Sequence, residues 1–392
     1  MPGQPISFPS GFLWGTATAA HQIEGGNWNN DWWAFEHQEG TKVVEPSGDA
    51  CDSYNRWEQD LDLVADMGLN AYRFSLEWSR IEPEDGEFSM AELDHYKAIC
   101  QGARDRGILP VVTFHHFTSP RWLAEKGAFE WSEAPARFGA YVERAAAHLG
   151  DEIGMACTIN EPNVVAFMGY VLGAFPPGVE FALDRQAVVT ENFVASHRIA
   201  VDALRAAAGS YPVGLTLSMA ELIAKEGGES ARDEFQELME DVYLRGTEGD
   251  DFIGVQCYTR YFFGPSGFEG SPRDARRTPM GYEFWPDCVG ATVRRAAEVT
   301  GLPVIVTENG VSGEDDAERI EYIDAALRSL AGAMADGVDV RGYVYWSLLD
   351  NFEWTYGYGQ RFGLVDVDRR SFLRSPKPSA EHLGGIARRG SL

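Results

Sequence analysis

The sequence predicts an α/β fold in which residues 1–392 form one domain, a single (β/α)8 barrel of the TIM type. Two observations support this prediction. Short apolar runs typical of strands alternate along the chain with longer amphipathic runs typical of helices. No low-complexity linker or change in composition divides the chain, and barrels of this kind routinely exceed about 200 residues as one domain. A doubly wound open sheet is the alternative, but no Gly-x-Gly-x-x-Gly motif follows the first predicted strand.

Eight segments have the composition of strands. The seventh begins with three consecutive β-branched residues and lacks polar alternation, which is typical of a parallel strand buried on both faces. The predicted strands are Phe12–Ala19, Asn70–Trp78, Leu109–His115, Met155–Asn160, Val213–Ser218, Phe252–Tyr258, Val304–Thr307 and Gly342–Ser347.

Five of the segments between the strands show helical periodicity. In Ser53–Met67 the apolar residues recur at helical spacing, and Gly68 supplies a stop signal. The other predicted helices are Met90–Asp105, Pro135–Leu149, Asp184–Ala207 and Asp316–Ala335. Phe263–Pro286 is instead long, aperiodic and rich in Gly and Pro, so we expect a loop at the rim of the barrel.

The composition argues against several kinds of partner. With 33 basic and 60 acidic side chains the formal charge is −27, which disfavours binding to nucleic acid or to an anionic membrane. No targeting sequence or membrane-spanning run is recognisable. The five cysteines are widely spaced and form no Cys-x-x-Cys motif, so we expect reduced thiols in a cytoplasmic protein. These features do not specify an oligomeric state.

Two predicted strands are each followed directly by a glutamate. Glu161 follows the fourth strand and Glu308 follows the seventh, and in such a barrel the functional groups lie at the carboxyl ends of strands. A carboxylate there is costly unless it is hydrogen-bonded or functional. Alternation on the second strand places Arg73 on the same face as Ser75 and Glu77, and an interior arginine needs an anionic partner, for which Glu308 is a candidate.

Such a pair of glutamates suits the cleavage of a glycosidic bond. One carboxyl group would protonate the leaving oxygen while the other attacks the anomeric carbon. A sugar also offers apolar faces that stack on indole rings and hydroxyl groups that need polar partners. Residues of the right types are Gln22, His115, Trp346, Glu353 and Trp354.

Five motifs in order along the chain resemble those of glycoside hydrolase family 1, the family of retaining β-glucosidases. Each motif alone would be weak evidence, but the five together are specific, and the resemblance extends from about Phe8 to Pro378. The motifs are Phe12–Gly25, Thr158–Pro162, Thr307–Gly310, Trp346–Trp354 and Arg361–Asp368.

The resemblance implies a role for each candidate residue. Glu161 would be the general acid/base and Glu308 the nucleophile, with their carboxyl groups roughly 5 to 5.5 Å apart, as a retaining mechanism requires. Tyr258 and Arg73 would set the orientation and charge of Glu308, and Asn160 would bind the sugar 2-hydroxyl. The other sugar contacts would come from Gln22, His115, Glu353, Trp354 and, as the floor of the site, Trp346. No cofactor or metal is implied.

The substrate implied is a small, unphosphorylated β-glucoside, β-galactoside or β-fucoside. The phospho-glycosidase branch typically has serine where this chain has Glu353, and this chain has no lysine between Lys225 and Lys377.

Two residues depart from the family pattern: His116 stands where Trp is usual after the sugar-binding His, and Gln256 stands where Asn is usual. The chain is also compressed between Met219 and Asp251, and we expect the loop at 263–286 to shape the leaving-group side.

Three functional classes remain open. A retaining β-glycosidase, including one that mainly transfers sugars, requires both glutamates. A non-catalytic sugar-binding barrel would usually lack one of them. A metal-dependent barrel hydrolase would need a ligand cluster, and His115 and His116 cannot supply a His-x-His pair because neighbours on a strand face opposite sides.

Overall fold

Eight parallel strands close into a barrel at the centre of the molecule. The computed structural model describes residues 6–207 and 209–392. In chain order, each strand neighbours the next and the last pairs with the first, which confirms the barrel and all eight predicted strands. The strands are β1 (Leu13–Ala17), β2 (Ala71–Ser75), β3 (Leu109–His116), β4 (Met155–Asn160), β5 (Val213–Ser218), β6 (Phe252–Gln256), β7 (Val304–Asn309) and β8 (Val340–Trp346).

The long helices surround the barrel, and all five predicted helices are present. Ser53–Met67 shows why they form: it buries Leu61, Val64 and Met67 against the sheet, and it ends at Gly68, whose φ of 76° suits glycine. The other long helices are Met90–Asp105, Ala134–Leu149, Leu183–Ala206, Cys288–Thr300, Asp316–Ala335 and Pro378–Arg389. Between β5 and β6 the chain runs through Glu229–Gln236, a π-helical turn at Glu237–Asp241, and Val242–Arg245.

Shorter elements occupy the connections between the strands and the long helices, and most of them follow the carboxyl end of a strand. The short α-helices are Ala20–Ile23, Asp31–Glu36, Trp78–Ile81, Arg121–Glu125 and Pro162–Tyr170, with 3-10 turns at Ala128–Glu130, Gly150–Glu152 and Trp354–Tyr356. Glu221–Ala224, Arg260–Gly264 and Gly267–Phe268 form a small sheet, and Val365–Val367 pairs with Arg374–Pro376. The predicted loop at 263–286 therefore begins inside a strand and a hairpin, and becomes irregular after Phe268.

The register of the strands brings their carboxyl ends together. Ala17 lies opposite both Arg73 and Trp346, His116 lies opposite Asn160, and Glu308 lies opposite Gln256. Below this level the interior is filled by an apolar layer, which consists of Ala71, Val111, Met155, Cys157, Phe252 and Ile305. The polar side chains at the strand ends thus share a pocket above an apolar floor.

Two further features bear on the surroundings of the protein. Within residues 6–207 and 209–392, no helix combines the length and apolar character needed to cross a membrane. All five cysteines are buried free thiols.

Candidate active site

Glu308, at the carboxyl end of β7, is surrounded by hydrogen-bond donors. Arg73 Nη1 donates to Glu308 Oε1 at 2.6 Å, and Gln256 Nε2 donates to the same oxygen at 2.9 Å. Tyr258 Oη donates to Glu308 Oε2 at 2.7 Å. The predicted ion pair between Arg73 and Glu308 is therefore present, and both side chains are almost completely buried.

Glu161 is held in the same pocket by a turn in the left-handed region. Its φ is 44°, it precedes Pro162 at the start of Pro162–Tyr170, and its N–H donates to Thr216 O at 2.9 Å. Such a conformation costs a non-glycine residue on the order of 1 kcal/mol and is found preferentially at functional sites. This backbone cost is consistent with a functional requirement for the position of the Glu161 side chain.

The two carboxyl groups differ in how strongly they bind a proton. Burial raises the pKa of Glu308, whereas the charge of Arg73 and the Tyr258 hydroxyl oppose that rise. Burial also raises the pKa of Glu161, and the negative charge of Glu308 raises it further, to well above its ordinary value. Because only Glu308 has an arginine at hydrogen-bond distance, Glu161 binds its proton more tightly than Glu308 does.

Asn160 connects the charged groups to the wall of the pocket. Its Oδ1 accepts from Arg73 Nη2 at 2.5 Å and from Gln256 Nε2 at 2.7 Å, and its Nδ2 lies 3.2 Å from His116 Nε2. Because the amide nitrogen is the donor, His116 accepts through Nε2 and carries its proton on Nδ1. Burial and the charge of Arg73 lower the pKa of His116 well below its ordinary value, so the ring is neutral.

His115 does not face this pocket. Its ring packs against Phe129, Phe138 and Phe193, with centroids 5.2, 6.0 and 5.9 Å away, on the helical side of β3. His116 faces inward instead and stacks on Trp346 at 5.9 Å. The prediction that His115 binds the sugar is therefore wrong, because the two neighbours lie on opposite sides of the strand.

The opposite wall holds Gln22 and Glu353. Gln22 Nε2 lies 2.7 Å from Phe352 O and 3.4 Å from Glu353 Oε2. Burial and the charge of Glu308 raise the pKa of Glu353 to about 8. The carboxyl group of Glu353 is therefore protonated over most of the neutral range and can donate a hydrogen bond.

The predicted tryptophans lie beside these polar groups. Trp346 is 3% exposed and Trp354 is 5% exposed. Trp354 stacks on His21 with centroids 5.8 Å apart and is backed by Trp32 at 4.6 Å. The aromatic packing fixes the orientation of the indole rings.

Among the residues that the structure describes, the buried polar atoms of this pocket without a hydrogen-bond partner include Gln22 Oε1, His116 Nδ1 and Gln256 Oε1, together with Arg73 Nε. Most buried polar atoms have a hydrogen-bond partner, which a bound ligand or a water molecule can supply. The two glutamine oxygens accept hydrogen bonds and His116 Nδ1 donates one. Together with the two indole rings beside them, these atoms suit a ring that carries several hydroxyl groups. In the same described ranges, no group of three or more His, Cys, Asp or Glu side chains is arranged to hold a metal ion.

Sequence reasoning brought most of this group together but gave no role to His116 or Gln256. Both were visible only as departures from a motif. For His116, the sequence does not show which side of the strand its last residue faces. Val111 and His116 both point inward, although their odd spacing would place them on opposite faces of a regular strand.

Comparisons with known proteins extend over nearly the whole chain. The glycosyl hydrolase family 1 model matches residues 4–248 and 269–391. Beta-glucosidase A of Thermotoga maritima is 30% identical over 445 aligned positions, which cover 98% of each chain. A bifunctional beta-D-glucosidase/beta-D-fucosidase of Bifidobacterium breve is 32% identical, with coverage of 95% of this chain and 96% of the relative.

A solved β-glycosidase from Pyrococcus horikoshii superimposes with a TM-score of 0.93, at 35% identity and with coverage of 99% of this chain and 96% of the other. Because the alignment with the Thermotoga maritima enzyme has more positions than this chain has residues, that relative carries segments that this chain lacks. The identity and coverage together show that the chain is a glycoside hydrolase of the β-glucosidase type and belongs to glycosyl hydrolase family 1.

Proposed function

We propose that this protein is a retaining, exo-acting β-glycosidase that hydrolyses unphosphorylated β-glycosides by double displacement. The observation that carries the proposal is the unequal pair of glutamates: Glu308 is paired with Arg73, whereas Glu161 is buried beside the charge of Glu308. One pocket therefore holds a nucleophile and an acid at the same pH.

In the first step, a Glu308 oxygen bonds to the anomeric carbon as the bond to the leaving oxygen breaks. Glu161 donates its proton to that oxygen, so the aglycone leaves as an alcohol. Arg73 and Tyr258 hold the attacking carboxylate. We expect the two carboxyl groups to lie about 5 to 5.5 Å apart, too close for a water between them.

In the second step, water replaces Glu308 on the anomeric carbon. Once Glu308 is an ester its negative charge is gone, so the pKa of Glu161 falls and its carboxylate can take a proton from the attacking water. The new bond forms on the face that the aglycone left, so the β-configuration is retained. Transfer to another sugar would follow the same path, with a hydroxyl group in place of water.

The sugar is bound by the inward-facing polar atoms. Asn160 would donate to the 2-hydroxyl, and His116, Gln22 and Glu353 would bind the remaining hydroxyls, with Trp346 below the ring. A phosphorylated sugar would need a cationic partner for its phosphate. Lys377, the lysine that follows Glu353 in the chain, is already paired with Asp350 and with Gly363 O, so a phosphorylated sugar is disfavoured. The relative named as a bifunctional β-glucosidase and β-fucosidase supports testing fucosides beside glucosides.

The two roles are tested by chemical rescue with azide on an activated aryl β-glucoside. Glu308→Ala is expected to abolish hydrolysis and, with azide, to form the α-glycosyl azide. Glu161→Ala is expected to recover turnover with azide and to form the β-glycosyl azide, because azide then attacks the glycosyl-enzyme. The anomeric configuration is read by NMR.

Glu353→Gln is the matched control, because it changes a third carboxyl group of the same pocket. We expect weaker activity without rescue. Failure of azide to restore Glu161→Ala would refute the acid/base assignment, and loss of activity on adding a chelator to the wild type would favour a metal-dependent hydrolase.

The compartment that we propose is the cytoplasm. Five buried free thiols suit a reducing environment. Fractionation of the source cells, with activity followed on the best nitrophenyl glycoside, would test this assignment.

A further inference from the structure

We propose that Gln256 is a positioning residue whose single amide group aligns the nucleophile and the group that binds the sugar 2-hydroxyl. This inference rests on the proposed function. It concerns a residue that departs from the family pattern and lies within 249–268, the internal stretch that the family model leaves unmatched.

The geometry of Gln256 places its amide nitrogen between two oxygens. The residue ends β6, opposite Glu308 in the register, and is fully buried. Its Nε2 lies 2.9 Å from Glu308 Oε1 and 2.7 Å from Asn160 Oδ1. An amide nitrogen has two hydrogens and both are used, so the orientation of the amide is fixed.

The first consequence concerns Glu308. Its Oε1 accepts from both Arg73 and Gln256, whereas Oε2 accepts from Tyr258. Oε1 thus has both of its lone pairs engaged, and Oε2 is the oxygen left to attack the anomeric carbon. Removing the Gln256 donor would loosen this arrangement and make the carboxylate harder to ionise.

The second consequence concerns Asn160. Arg73 and Gln256 occupy Asn160 Oδ1, so only the Nδ2 group remains to meet the sugar. The 2-hydroxyl must therefore accept a hydrogen bond from Asn160. An asparagine at position 256 would be one methylene shorter and could not make both contacts from the same backbone position.

Gln256→Met tests the proposal, because methionine has a similar length but no N–H donor. We expect kcat/KM on nitrophenyl β-glucoside to fall about 10- to 100-fold, as for the loss of buried hydrogen bonds to a charged group. The acidic limb of the pH profile of kcat/KM should move to higher pH. The preference for the glucoside over its 2-deoxy analogue should shrink.

Val255→Ala is the control for a merely structural role, because Val255 is a buried residue on the same strand and packs in the outer apolar core. It is expected to lower the melting temperature without moving the acidic limb or the 2-hydroxyl preference. If Gln256→Met changes only the melting temperature, as this control does, the proposal is wrong.

A second variant keeps the test decisive if Gln256→Met does not fold. Gln256→Asn retains the amide but not its reach, so at least one of the two readouts should shift, and wild-type values for both would overturn the proposal. Trapping with a 2-deoxy-2-fluoro glycoside, detected by mass spectrometry, separates the two ideas. If the reagent labels Glu308 in a Gln256 variant whose pH profile is unchanged, only the role of Gln256 is refuted. If the reagent does not label Glu308 in the wild-type protein, the proposed function is refuted.

Discussion

His115 and His116 show how much one residue position decides in this site. Burial lowers the pKa of His115 to about 3, and its ring is a packing group among phenylalanines. His116 instead faces the pocket, where its ring stacks on Trp346 at 5.9 Å and its Nε2 lies 3.2 Å from Asn160 Nδ2. Only the second histidine has the geometry to bind a sugar hydroxyl.

The variants His116→Ala and His115→Phe should separate the sugar-binding role from the packing role. We expect His116→Ala to lower kcat/KM on nitrophenyl β-glucoside by about 10- to 100-fold, since a buried hydrogen bond and a ring contact are lost. His115→Phe should keep kcat/KM within a few-fold, because the ring fits an aromatic environment. The measurements are steady-state kinetics and melting curves of both variants. Equal losses of kcat/KM in the two variants would show that His115 also serves the site.

The sequence predicted Arg73, Glu161 and Glu308 because strand ends in a barrel meet at one level, and that rule needs no side-chain detail. Alternation from the interior residue Phe252 already places Gln256 inward, whereas the role of His116 depends on which way the last residue of its strand turns. That direction depends on contacts with neighbouring strands, and the alternation within a single strand does not contain it.

At the scale of the element, irregular pairing at the ends of two other strands changes which way their side chains face. The pairing of β4 with β5 shifts between Cys157 and Asn160, and the pairing of β7 with β6 shifts between Val306 and Glu308. Such irregularities re-aim side chains and are common beside active sites. Here they let Asn160 and Glu308 face inward, at odd spacings from the interior residues Cys157 and Ile305.

The rim segment at 263–286 is anchored rather than free. Arg260 donates to both oxygens of Glu283, at 3.0 and 2.7 Å, and Thr259 Oγ1 donates to Glu283 O at 3.1 Å. The neighbouring Tyr282 lies 6.5 Å from Tyr258, measured between ring centroids. Burial raises the pKa of Tyr282 well above its ordinary value, so its hydroxyl stays protonated.

Tyr282→Ala is therefore expected to affect the leaving group. An aromatic contact is worth about 0.5 to 1.5 kcal/mol, so kcat/KM should fall about 2- to 10-fold more for aryl than for alkyl β-glucosides. Asp274→Ala, an exposed change in the same segment, is the control and should leave both substrates unaffected. Equal losses on aryl and alkyl substrates would place Tyr282 outside the leaving-group side.

The whole molecule combines a formal charge of −27 with carboxyl groups buried away from water. Glu240, in the π-helical turn, is 3% exposed, and burial raises its pKa to about 8. The Ala220 N–H and the charge of Arg295 oppose that rise, and Asp241 adds to it. Glu353 has a similar pKa but is partly exposed, so we expect Glu240 to have the larger effect on stability.

The raised pKa of Glu240 predicts a loss of stability on the alkaline side. The folded state binds its proton more tightly than the unfolded state, whose ordinary value is 4.5. Stability from this group is thus complete below about pH 4.5 and is lost as pH rises through about 8. Glu240→Gln removes the ionisation and keeps an oxygen that can accept from Ala220 N–H.

We expect the melting temperatures of Glu240→Gln and wild type to agree near pH 4.5 and to separate by about 2 to 4 °C near pH 9, with the variant more stable. Glu234→Gln is the matched control, because it removes the same formal charge from an exposed position of the preceding helix. If the control variant gains as much as Glu240→Gln at pH 9, the effect comes from the net charge, and the burial of Glu240 does not explain it. If neither variant gains, Glu240 is already ionised in the folded protein, and Arg295 outweighs its burial.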